Sequence, residues 1–307
     1  MIFKKPELLH LQSATKQTAL SVAAAKGRAE MVSFLLQQGL DPNHTDKQGN
    51  TPLSEAVSGG HPEVVRILLN AGVDPNLPII DSIAGTREHL LYHAIIMTDQ
   101  VEVVRALLEG GADPNSKVYF STTEEETSPD TFFHFALSIR NVIKPEIIKL
   151  LVKSGVDLNQ PDSAGFTPVE HLTLSGEYPQ DLQFLQILLE AGADPNQLGQ
   201  NEDTPLINAI CGGEIAAIEI LLEAGAEINK ITPSGDTALK ASIRSAITLQ
   251  PDAKEPPLIQ KERLAITRLL IEKGADVHLG NPSPLVTAQT FKYQEAIDLL
   301  KQHGAKN

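Results

Sequence analysis

The sequence predicts an all-α solenoid of about eight helix–turn–helix units, with short β-turn or hairpin fingers between them. Three recurring features of the 307 residues predict it. A five-residue phrase returns as GLDPN at 39–43, GVDPN at 72–76, GADPN at 111–115, GVDLN at 155–159 and GADPN at 192–196. It continues as GAEIN at 225–229, GADVH at 274–278 and a truncated GAKN at the end. A Leu-Leu pair precedes each copy, at 35–36, 68–69, 107–108, 150–151, 188–189, 221–222, 269–270 and 299–300. A Thr-Pro-Leu-like triplet opens each unit, beginning at Thr18, Thr51, His89, Thr131, Thr167, Thr204, Thr237 and Ser283.

Residues 46–76 justify the elements in order. Asp46 and Gly49 mark a turn. Thr51 is an N-cap, because its hydroxyl can accept from the unpaired N–H groups of the first turn, and Pro52 suits the first helical position. Gly59-Gly60 ends this short helix, and a second begins near Pro62. Val65, Leu68 and Leu69 form its apolar stripe. Gly72 takes the left-handed position that stops the helix, and Asp74-Pro75-Asn76 starts the next turn. One such pair cannot bury its stripe alone; stacked neighbours can, and a period near 33 is the mark of a solenoid.

These landmarks resemble the ankyrin repeat. The stretch GNTPLSEAVSGGHPEVVRILLNAGVDPN carries the T-P-L motif, the Gly-His, the V-V-x-x-L-L and the G-x-D-x-N. The resemblance extends over nearly the whole chain. It divides 13–307 into a single domain with units at about 13–45, 46–78, 79–117, 118–161, 162–198, 199–231, 232–280 and 281–307. Residues 1–12 are expected to cap the first unit, and the polar Lys301, Gln302, His303 and Lys306 to finish the last. His89 departs from the triplet pattern, so repeat three is expected to start irregularly.

Composition restricts the function classes. The net charge is −14, a field that repels phosphate backbones and anionic membranes, so nucleic acid and lipid are poor partners. A single cysteine, Cys211, allows no intrachain disulfide and suits a reducing compartment. The N-terminus lacks the apolar core of a secretory signal, and no run is long enough to span a membrane. A cytoplasmic monomer is expected, in a bacterial cytosol or in a host cytosol. The frequent G-A-D-P-N ending and irregular insertions resemble bacterial ankyrin proteins, including those delivered into host cells.

Spacing between the phrase glycines is uneven: 33, 39, 44, 37, 33, 49 and 30 residues. The extra residues of repeats three (77–88) and four (116–130) precede the first helix and lengthen the fingers. Those of repeat seven (245–263) fall between the two helices; Pro251, Pro256 and Pro257 argue for a loop there, after a lengthened first helix. Long loops in a compact repeat are functional or disordered. The finger of repeat four carries Tyr119, Phe120 and Glu124-Glu125-Glu126, and an acidic run can dock a basic partner residue. Aromatics concentrate nearby, nine of thirteen lying between 92 and 184. Phe135 and Phe184 are read as packing.

In the ankyrin pattern, the residue before the capping Thr and those ending the first helix face the concave groove. Repeats three to five place Ile96, Met97, Ile139, Phe166 and Leu174 there, whereas repeat two has Asn50, Ser58 and Gly59, and repeat six Asp203, Cys211 and Gly212. An apolar centre with a polar rim suits a protein-binding surface.

No phosphate loop, His-Glu-x-x-His, paired cysteines or EF-hand spacing occurs, so no cofactor, metal or catalytic residue is assigned. His134 and His61 fall on pattern positions and are read as structural. The expected function is non-enzymatic protein recognition through the groove and fingers of repeats three to five. The alternative is a bacterial effector or inhibitor that uses 116–130 or 245–263 to regulate or carry an enzymatic activity.

Overall fold

The computed structural model describes residues 11–77, 79–80, 87–96, 100–118, 130–139, 142–174, 180–245 and 257–306. Two compact units divide the chain, Met1–Asp157 and Leu158–Asn307. The predicted helix-pair solenoid is what forms, with sixteen helices among the described residues.

In the first compact unit, repeat one is α1 (Ala19–Ala25) and α2 (Ala29–Gln37), and repeat two is α3 (Pro52–Ser58) and α4 (Pro62–Asn70). Repeat three opens with the strands β1 (Ile79–Ile80) and β2 (Arg87–Glu88), followed by α5 (Leu90–Ile96) and α6 (Val101–Glu109). Repeat four follows the same plan: β3 (Lys117–Val118), β4 (Asp130–Thr131), α7 (Phe132–Ser138) and α8 (Pro145–Lys153). First helices stack in the order α1, α3, α5, α7, and second helices in the order α2, α4, α6, α8. The bases of both long fingers are antiparallel ladders, Ile79 opposite Glu88 and Lys117 opposite Thr131. The expected finger extensions of repeats three and four thus begin and end on paired antiparallel strands.

The second compact unit holds α9 (Pro168–Leu174) and α10 (Asp181–Glu190), then α11 (Pro205–Gly212) and α12 (Ile215–Glu223). Repeat seven is α13 (Ala238–Ser245) and α14 (Pro257–Glu272), and repeat eight α15 (Pro284–Thr290) and α16 (Gln294–Gln302). Stacking again follows first helix on first helix, α9 to α11 to α13 to α15. Repeat seven departs from expectation. The second helix is 16 residues long, and the expected lengthening of the first beyond Ser245 lies outside the described residues. Pro257 stands first in that helix, where proline's missing N–H breaks no bond; a proline read as a loop marker begins a helix instead.

The capping chemistry explains the repeat. Thr18, Thr51, Thr131, Thr204 and Ser283 each accept the N–H three residues on. Thr167 and Thr237 do the same for Glu170 and Lys240. At Thr51 the bond is reciprocal, Ser54 Oγ accepting the Thr51 N–H at 2.8 Å. All eight phrase glycines have positive φ, from 81° at Gly39 to 99° at Gly192. The N–H after such a glycine reaches back to the carbonyl of a leucine, as Val73 does to Leu68 at 3.3 Å.

That geometry corrects the leucine register. The leucine four residues before the glycine is buried in every repeat, although Leu150 and Leu299 are buried beside it in repeats four and eight. In repeats four, seven and eight this is the second of the pair: Leu151, Leu270 and Leu300, each 0% exposed. Leu69, expected in the stripe of α4, is half-buried, and Val64 takes its place at 1%.

The phrase does more than stop a helix. Asn76 donates its amide to Gly111 O at 3.0 Å and accepts the Asp113 N–H at 2.8 Å, stitching one repeat to the next. Asn115 repeats this with Gly155 and Asp157. In the second unit Asn196 does so with Gly225 and Glu227, and Asn229 with Gly274 and Asp276. One asparagine thus satisfies two backbone groups that the helix end leaves unpaired.

Candidate functional site

The site residues expected from the sequence fall in different places. Met97, Tyr119, Phe120, Glu124, Glu125 and Glu126 lie outside the described residues. Ile96 and Ile139 belong to the first compact unit, Phe166 and Leu174 to the second.

In the first unit Ile96 is the last residue of α5 and Ile139 caps α7; both are half-buried. Ile139 O accepts the N–H groups of Val142 and Ile143, closing the turn toward α8. Phe132 and Phe133 belong to the core, while Tyr92 and Phe135 are half-buried. Phe132 and Phe133 are each 1% exposed. His89 meets Phe132 edge-on with centroids 5.4 Å apart, and Tyr92 stacks obliquely on Phe135 at 4.7 Å. These pairs join repeat three to repeat four, a geometry that adds to burial itself. His89 therefore serves as an inter-repeat aromatic contact in the place of a capping Thr. Burial holds its ring below the usual histidine range, against the pull of Asp113.

The histidines read as structural are so placed. His134 is 4% exposed, with Nδ1 3.0 Å from Thr131 Oγ1. His61 lies against Ala25 O at 3.2 Å, in a slot that a side chain at Gly27 or Gly59 would fill.

In the second unit Leu174 ends α9 and is 41% exposed. Phe166 precedes the capping Thr167, is half-buried, and faces His171 with centroids 5.5 Å apart. His171 Nε2 lies 2.5 Å from Asp162 Oδ2, and Asp162 Oδ1 accepts the N–H of Ala164 and of Phe166. The finger turn under Phe166 is thus held by one carboxylate. Burial alone would push Asp162 up. The hydrogen bonds from His171 and Phe166, the His171 charge and the Ala164 N–H outweigh it and hold the carboxyl below its usual range.

The same turn recurs along the chain. The N–H five residues before the next first helix's cap bonds the carbonyl just before it: Asp46 to Asn50, Asp162 to Phe166, Gly199 to Asp203, Thr232 to Asp236. Asp46 and Asp162 supply a side-chain acceptor to the turn, and Thr232 a hydroxyl. Gly199 has none. Glu170, from the previous repeat, enters that space: its Oε2 accepts the N–H of Thr167 at 3.3 Å and of Gln200 at 3.2 Å. Glu170 is 0% exposed, and its Oε1 has no hydrogen-bond partner among the described residues. Burial pushes its carboxyl above the usual range; the two N–H groups and His171 oppose this, and Asp162 adds to it.

Further along, Asp203 and Asp236 occupy the position of Phe166, and Cys211 and Arg244 that of Leu174. Asp236 is buried and accepts from Lys240 Nζ at 2.7 Å and from Arg244. Cys211 is exposed. The clusters around Glu170 and Asp236 were not legible in the sequence, because each joins residues from two elements. The one available signal was the missing side chain at 199, where neighbouring fingers have Asp or Thr.

Among the described residues no helix is long and apolar enough to cross a membrane, and no three His, Cys, Asp or Glu side chains are grouped to hold a metal.

Comparison with known proteins agrees with the repeat. A family profile described as "Ankyrin repeats (3 copies)" matches residues 2–79 and 172–249, more than half of the chain, and "Ankyrin repeat" matches 88–118. The chain is 32% identical over 160 residues to Ankyrin repeat and SOCS box protein 6 of Mus musculus, covering 50% of this chain but 37% of that protein. It is 40% identical over 60 residues to Protein phosphatase 1 regulatory subunit 27 of Homo sapiens, covering 20% of this chain and 36% of that one. The chain thus spans little more than a third of the length of these relatives. An ankyrin repeat domain from Acinetobacter baumannii AYE superposes with a TM-score of 0.51 at 26% identity, covering 68% of this chain and 98% of that one. With seven capped first helices and eight left-handed glycines in register, the chain belongs to the ankyrin-repeat family.

Proposed function

We propose that this protein is a non-enzymatic protein-binding module. The observation that carries the reading is Leu174, 41% exposed at the end of a first helix in the repeat whose finger holds the half-buried Phe166. Buried side chains of this size fold the repeat; exposed ones of this size gain only when a partner covers them. In the first compact unit Ile96 holds the corresponding position, with Met97 next to it, and Ile139 follows the end of α7. The repeat-four finger adds Tyr119, Phe120 and Glu124–Glu126 as contacts. Because neighbouring repeats fix the surface, a partner orders little of it on binding. A protein partner with a basic patch fits the net charge of −14; nucleic acid and membranes do not. The module is read as a cytoplasmic monomer.

A regulatory role toward an enzyme is the second reading. It is supported by the 40% identity to a phosphatase regulatory subunit over 60 residues. Relatives include both animal proteins and a bacterial domain, so an effector acting in a host and a resident regulator are both tested by one experiment. Tagged protein is used to capture partners from bacterial and eukaryotic lysates, with Phe166→Ser as control. A partner retained by the native chain and lost by the variant supports the reading. Identical capture by both sinks it.

A further inference from the structure

Two rows of side chains run along the second compact unit. One comes from residues before the capping Thr: Phe166, Asp203, Asp236. The other comes from the ends of first helices: Leu174, Cys211, Arg244. Their equivalence rests on the shared turn, in which residues 162, 199 and 232 donate to the carbonyls of 166, 203 and 236. It rests also on the stacking of α9 on α11 and α11 on α13. The rows therefore pass from apolar to acidic to ion-paired in consecutive repeats.

The ion pair is saturated. Asp236 accepts from Lys240 and Arg244, and the Lys240 ammonium also donates to Asn281 O at 3.0 Å and Gly235 O at 3.4 Å. Asp203 is in a different state. It is half-buried, and among the described residues its carboxylate has no hydrogen-bond donor and no ion-pair partner. Burial pushes this carboxyl above its usual range; Arg244 lowers it from a distance and Asp236 raises it again. A partly desolvated carboxylate without a donor is costly, and a donor brought from outside relieves the cost. An arriving cation is directed to Asp203 rather than Asp236, whose charge is already neutralised.

We infer that the second compact unit takes a partner segment that sets a basic side chain on Asp203 and an apolar side chain on Phe166 and Leu174. This rests on the protein-binding reading above and names the partner's chemistry. Stacked helices lie about 8–10 Å apart and an extended chain advances about 3.3 Å per residue, so the two anchors are roughly three residues apart in the bound segment.

The test is a selection of random phage-displayed peptides on the full chain, followed by fluorescence anisotropy with the selected peptides. The expected pool carries Arg or Lys roughly three positions from an aliphatic or aromatic residue, and Asp203→Asn weakens its binding about tenfold or more. Asp203→Lys restores binding to a peptide whose basic residue is replaced by Glu. A pool without that basic position, or an Asp203→Asn variant that binds within about twofold of the native chain, overturns the inference. Peptides that depend on Phe166 but not on Asp203 leave the protein-binding reading standing and remove only the cation. Peptides indifferent to both, or no enriched peptide, remove both.

Discussion

The Glu170 carboxylate occupies the space that a side chain at residue 199 would need, so the placement of the buried acid requires the glycine. Gly199→Ala places a methyl group against that carboxylate and against the bond to Gln200 N. Overpacking of this kind costs about 1–3 kcal/mol. Urea unfolding of the variant is expected to show the loss, and Gly199→Ala with Glu170→Ala together to recover part of it. An additive double variant would mean that the two residues do not interact.

Glu170 also sets a pH dependence. Its folded pKa is raised above the unfolded one near 4.5 by burial, so the native state holds the proton longer than the unfolded state. Its contribution to stability is therefore lost as pH rises through and above 4.5, the reverse of a salt-bridged acid. Glu170→Gln keeps the shape and removes the charge. The variant is expected to gain stability over the native chain at neutral pH and to converge with it in acid. A gain that persists unchanged in acid would contradict this account.

Asp162 acts in the opposite direction. Despite its burial, hydrogen bonds from His171 and Phe166 depress its pKa below 3.8, so its stabilisation is present above that value and lost as pH falls through the folded pKa. His171→Ala removes one of those bonds and the charge. Stability measured across the acid range is expected to fall at a higher pH than in the native chain. Identical acid limbs would rule out the Asp162–His171 pair as a support of the finger.

Two backbone positions make a matched test. Gly192 has φ 99° and open space around a Cβ, so Gly192→Val meets backbone strain alone. The left-handed region costs an L-residue about 1–2 kcal/mol, and a β-branched one more. Glu202 is the converse: it holds φ 57° at the turn position where Gly49, Gly165 and Gly235 stand in other fingers. Glu202→Gly is expected to stabilise by about 1 kcal/mol, the strain relieved exceeding the entropy of glycine. Thermal melts that move in the same direction for both variants would refute the strain argument.

The proposed protein-binding role is tested in each compact unit by changing Ile96 in the first and Phe166 in the second to aspartate, singly and together. Both are half-buried. Partner capture is expected to be lost while the circular dichroism spectrum is kept; loss of the spectrum would assign them to the core. Deleting 119–128 is expected to weaken binding more than deleting 250–260, and equal effects would remove the reason for singling out the repeat-four finger.

The sequence by itself determined the architecture, because each element of this fold is specified locally. A capping hydroxyl, a proline in first position and a left-handed glycine act within one turn, so their spacing shows where helices begin and end. The lengthened fingers of repeats three and four were legible for the same reason, as surplus residues between two such marks. Contacts across repeats were not legible. Which leucine of a pair is buried most deeply depends on helix phase relative to the neighbouring helix. Phe132 and Phe133 stand in the repeat's opening triplet, but that Phe132 meets His89 and that both are buried shows only in the stack. Asn76 reads as part of a turn until Gly111 arrives beside it. Glu170, Gly199 and Asp203 gain their meaning only when one finger packs on the next, because burial and charge pairing are properties of the space between repeats.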